Sequence, residues 1–116
     1  MPLRLACLMT LFLPVAGFVP SVTQLRPEAD RTMYGAGTNS CTQWTEARRG
    51  DSWFTAGQWV LGFVSAANQY STVPPAKAEA RDMARWVDDY CREHAESDVA
   101  DAGKGLVELL LAGQQP

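Results

Sequence analysis

The residues best suited to chemistry in this chain stand together in DDYCREH, positions 88–94. The sole histidine, His94, follows Cys91 by three residues and stands behind the adjacent acids Asp88 and Asp89. A thiol beside an imidazole, with a carboxylate to orient the ring, has the composition of a nucleophile and its base. With Cys41 added, the same side chains offer sulfur, nitrogen and oxygen to a zinc ion.

Spacing and compartment argue against both readings. On a helix Asp88 lies about 120° around from His94, too far to orient its ring. Cys91-x-x-His94 supplies two metal ligands, and no second compact pair follows. The fate of the thiol depends on the start of the chain. Arg4 precedes the apolar run LACLMTLFLPVAGFV (5–19), which Pro14 interrupts. That run is shorter than the roughly 20 residues a membrane span needs, so it reads as a cleavable signal peptide over 1–21. Small residues allow cleavage after Ser21 or after Gly17. Cys7 leaves with this segment, and of three cysteines Cys41 and Cys91 remain. An even pair in an oxidising, exported compartment, the periplasm above all, predicts one disulfide.

Other signatures fail on context. Ser65 in GFVSAAN is no G-x-S-x-G elbow, and GAG at 35–37 follows no strand and makes no phosphate loop. Asp88 and Asp89 diverge by about 100° on a helix and read as its solvated side. The expectation is no catalytic residue, no metal and no cofactor. The full chain carries a formal charge of −3; without Arg4, nine Lys/Arg face thirteen Asp/Glu, a net −4. A mildly acidic surface is the wrong sign for a nucleic-acid partner.

The elements that hold these residues read as helices. Residues 22–38 show no sustained period and predict a flexible N-terminal arm before a helical domain over 39–113. RRGD, STVPP and HAESD divide that domain into apolar blocks of helical spacing. A first helix spans about 40–49, capped by Asn39 or Ser40, with Cys41, Trp44 and the stem of Arg48 on one face. A second, about 52–70, opens at Asp51 or Ser52. Its main stripe runs from Trp53 through Val60 to Tyr70, and Gly62 offers room for a neighbour. A third starts at Pro75 and runs to about His94, with Met83, Val87 and Cys91 inward. A fourth runs from Ser97 or Asp98 to Gly113, with Val99, Leu106 and Leu110 inward. No block alternates like a strand. The fold class is therefore all-α, a small four-helix domain stapled by Cys41–Cys91.

One feature exceeds the needs of a core. Phe54 and Leu61, seven residues apart, lie off the main stripe of the second helix and are flanked by Gln58, Ser65 and Asn68. Either that helix is central and buried on two sides, or these side chains form an exposed apolar patch for a partner, with Trp53 as an anchor.

Three segments carry a resemblance: SCTQW (40–44), QWVLGFVSAANQYS (58–71) and WVDDYCREHAESDVADAGKGLVELL (86–110). Together they resemble the Rap/Tai-type immunity proteins, small exported bacterial proteins that neutralise secreted cell-wall amidase toxins. The outline is also similar to periplasmic acid-stress chaperones of the HdeA type. The resemblance covers roughly 38–111. It departs at Ala95, where immunity-type proteins commonly have proline, and the further cysteines of some members are missing. It implies a periplasmic, non-enzymatic helical protein whose partner is another protein, either a toxin or an unfolded client.

Overall fold

Ser40 starts the first helix, α1 (Cys41–Arg48), with a reciprocal cap: its hydroxyl accepts from Gln43 N–H at 3.1 Å, and the Gln43 side chain accepts from Ser40 N–H at 2.8 Å. Asp98 and Asp101 build the same box at the start of α4 (Val99–Leu111). The two caps lie side by side. Cys41 N–H donates to the Ser97 carbonyl at 2.8 Å, and Val99 N–H donates to that of Asn39 at 2.9 Å. Backbone groups that a helix start leaves unpaired are thus satisfied across the pair. Between them run α2 (Phe54–Tyr70) and α3 (Ala80–Glu93). This computed structural model describes residues 32–116. Among the described residues the regular structure is four α-helices and one 3-10 turn, with no strand. The expected signal peptide, 1–21, and residues 22–31 of the expected arm lie outside them.

Cys41 and Cys91 form the disulfide, with Cα atoms 4.8 Å apart, and join α1 to α3. Both are buried, together with Trp44, Val60, Val87, Leu106 and Leu110. The central element is α4: α2 and α3 each pack on it, and α1 packs on α3. Gly105 keeps the α3–α4 approach close, since a Cβ there would meet the Trp86 ring at 2.8 Å. With α2 and α3 both leaning on α4, little of one touches the other. That leaves a seam between them.

Five expectations need correction. The third helix starts at Ala80 instead of Pro75. Pro75 disfavours helical backbone at Pro74, and Ala76 N–H is committed to the Leu110 carbonyl at 2.8 Å, satisfying one of the orphan carbonyls at the end of α4. The second helix begins at Phe54, with Trp53 as an N-cap that makes no side-chain bond. Gly62 faces open space, and Tyr70, placed inward by its period, is 89% exposed. Finally, the arm is structured at its end. Gly35–Thr38 forms a 3-10 turn under Trp59, whose indole N–H donates to the Tyr34 carbonyl at 2.9 Å. The GAG segment is the seat of an indole ring, and a Cβ at Gly37 would fall 2.3 Å from that ring.

Candidate functional site

Trp53 stands at the mouth of the seam, and its position is built from three sides. Gly57 lies one turn on, and a Cβ there would meet the Trp53 ring at 2.7 Å, so only glycine lets the indole fold back over the helix. The Arg48 guanidinium carbon lies 4.4 Å from the ring centre. Trp44 meets the ring edge-on at 6.2 Å. Contacts of these two kinds are each worth about 0.5–1.5 kcal/mol.

Arg48 is itself held. Its Nε and Nη2 donate to Asp88 Oδ1 and Oδ2, both at 2.8 Å, and the Trp44 indole N–H donates to the same Oδ1 at 2.8 Å. The hydrogen bond to Asp88 raises the Arg48 pKa above its ordinary value, against an opposing effect of burial. Asp88, expected on the solvated side of α3, is thus the knot of a clasp between α1 and α3. A bidentate pair of this kind fixes orientation as well as distance.

Past Trp53 the seam opens into an apolar hollow of about 240 Å³. Phe54, Gln58 and Leu61 form its α2 wall, and Ala80, Arg81 and Ala84 its α3 wall. Val60 and Met83 lie deeper. Phe54 is 64% exposed, while Trp53 and Leu61 are half-buried. All three residues singled out from the sequence therefore meet in one place, and the exposed-patch alternative describes Phe54. The α3 wall was missed, because nothing in the pattern of α3 says that α2 stands off from it. Arg81 is the single charged residue lining this hollow.

The seam continues. A second hollow, about 350 Å³, shares Met83 with the first and is lined on α2 by Val64, Ser65 and Asn68. Lys77 and Glu79 line its opposite side, in the extended segment before α3.

DDYCREH borders two hollows on the α1 side, one of about 260 Å³ at Cys91 and Arg92 and one of about 230 Å³ at Asp88 and Arg92, but its sulfur and imidazole are already engaged. Cys91 is spent in the disulfide. The His94 ring donates through Nδ1 to the Tyr90 carbonyl at 2.9 Å and stacks on the Tyr90 ring with centres 4.2 Å apart. It closes the C-terminal turn of α3, a position that favours a polar N–H donor. Among the described residues no three His, Cys, Asp or Glu side chains gather as a metal would require. No helix there is long and apolar enough to cross a membrane. Comparisons with protein families, characterised proteins and solved structures give no match to this chain.

Proposed function

We propose that this chain is an exported, non-enzymatic protein-binding domain of the immunity type, whose hollow beside Trp53, Phe54 and Leu61 takes an apolar part of another protein and so sequesters or inhibits it. The observation that carries this reading is Phe54, 64% exposed at the mouth of a hollow that is otherwise nearly ready to receive a side chain. Full burial of an exposed ring is worth roughly 1.5–3 kcal/mol, and a partner covering Phe54 would recover part of that. The clasp on Trp53 supports the reading further, because a wall held before binding lowers the ordering cost of association.

The lining of the first hollow suits an apolar side chain of a protein, since Arg81 is its single charged residue. The resemblance to Rap/Tai-type immunity proteins points the same way, and the buried disulfide is compatible with export to the periplasm. An acidic chain without a basic stripe is a poor nucleic-acid binder.

The test is a paired variant. Phe54→Asp is expected to abolish recovery of the stoichiometric partner while the melting temperature stays within a few degrees, and Leu61→Asp, at a half-buried position packed on the core, to abolish it with some loss of stability. Undiminished recovery with either variant would sink the proposal.

An HdeA-like acid-stress chaperone is the second reading. Fully protonated and without its signal, the chain would carry nine Lys/Arg, His94 and a new N-terminus, close to +11. Self-repulsion of that size loosens small domains. Failure to suppress client aggregation near pH ~2–3, where carboxylates are protonated, would dismiss it.

A further inference from the structure

The α2 wall of the seam is spaced for another helix. Phe54, Gln58, Leu61, Ser65 and Asn68 follow one another at intervals of four, three, four and three, and all line one or other hollow. That alternation keeps all five on one face of α2, with Phe54 and Leu61 as its apolar members, seven residues apart, and Gln58, Ser65 and Asn68 as its polar ones. The stripe spans fifteen residues of α2, about 21 Å at helical rise, or close to four turns. Ser65 donates its hydroxyl back to the Leu61 carbonyl at 2.7 Å. It therefore presents a small surface with its own donor already satisfied, where a helix can come close.

Charge selects the kind of helix. Arg81 overlooks the first hollow with its side chain 82% exposed. Its neighbour Asp82 is 3.5 Å away but is bound more closely by Arg85, at 2.7 Å. Lys77 and Glu79 overlook the second hollow. The charged residues lining the seam are thus two cations and one anion, a local surplus of positive charge on a chain whose total is −3.

We infer that the seam takes an amphipathic helix of a partner protein, about four turns long, whose apolar residues enter the two hollows and whose acidic residues meet Arg81 and Lys77. This rests on the protein-binding reading above and adds the conformation and charge of what is bound. The first hollow is larger than the ~150 Å³ that holds a benzene ring, so it admits one large side chain and part of a second. Paired apolar anchors one turn apart on a helix have that demand.

A random peptide library of sixteen-residue inserts, displayed on phage and selected on the oxidised protein, tests this. The expected winners carry apolar residues at i, i+3 or i+4, and i+7, with an excess of Asp and Glu. Binding of the strongest synthetic winner should fall at least about tenfold in an Arg81→Glu/Lys77→Glu double variant, given the cost of like charges at an interface. It should fall similarly in Phe54→Asp. Winners without helical period, winners rich in Lys and Arg, or a double variant that binds equally well would overturn the helix assignment while leaving the Phe54 hollow as a binding site. A library that yields nothing above a Phe54→Asp control overturns it as well, and loss of the cellular partner with Phe54→Asp then still decides the broader reading separately. Concentration-dependent dimerisation that Phe54→Asp abolishes would give the seam to a second copy of this chain, and the inference would fail.

Discussion

At the scale of the residue, Asp88 matters most. A helical wheel gives the direction of its side chain but says nothing of what another helix will bring to it. Here α1 brings Arg48 and Trp44, and a carboxylate read as the wet side of DDYCREH becomes the acceptor for three hydrogen bonds. Asp88→Ala would leave a partly buried guanidinium and an indole N–H without their acceptor, at about 2–3 kcal/mol. Urea denaturation should show the midpoint falling accordingly, with Trp53 fluorescence altered as Arg48 releases the ring. An unchanged midpoint would mean that the clasp contributes nothing. Cys91 and His94 were legible for a different reason. Reading Cys7 as part of a signal peptide leaves Cys41 a single partner, and that expectation needs no geometry. His94 sits where a helix ends, and its ring donates to the last turn.

At the scale of the element, helix existence followed from period and helix ends did not. Two starts were visible because Ser40 and Asp98 cap with their own side chains. The other two were misplaced because Trp53 and Glu79 stand at N-caps without a side-chain bond. Local signals at Asp51, Ser52 and Pro75 were outweighed by long-range ones, the Leu110 carbonyl above all. The off-stripe face of α2 was legible as a set of positions and not as a role: Phe54, Gln58, Leu61, Ser65 and Asn68 all line the seam, with Phe54 exposed and Leu61 half-buried. Glycine roles were exchanged. Gly62, expected at a close contact, faces solvent, and Gly37, read only as part of an arm, lies against Trp59. Two alanine variants test this exchange by thermal melting. Gly62→Ala should stabilise by up to ~1 kcal/mol, as for an exposed helix interior. Gly37→Ala should destabilise by roughly 1–3 kcal/mol as its methyl displaces the indole. Equal effects would mean that the 3-10 turn is not held by Trp59.

At the scale of the whole molecule, a domain this small has little core to spare, and the disulfide closes a loop across 50 positions. In the chain-entropy account such a loop is worth about 4 kcal/mol, a large share of the ~5–15 kcal/mol of a typical domain. Replacing both Cys41 and Cys91 with serine should lower stability by an amount of that order in guanidinium titration. A loss under about 1 kcal/mol would show that packing on α4 suffices without it. What the staple secures is the geometry of the seam. It fixes α3 to α1, α1 carries Arg48 and Trp44, and these hold Trp53 at the mouth of the hollow. The central claim is that another protein binds there. The most direct measurement is photo-crosslinking in the exporting cell, with a photoreactive amino acid placed at Phe54 and, in a second strain, at Glu93. Glu93 is exposed and lies about 19 Å along α3 from Ala80. Our account predicts a discrete cross-linked partner from position 54 and none from position 93. A partner captured from position 93 alone, or from neither, would contradict it.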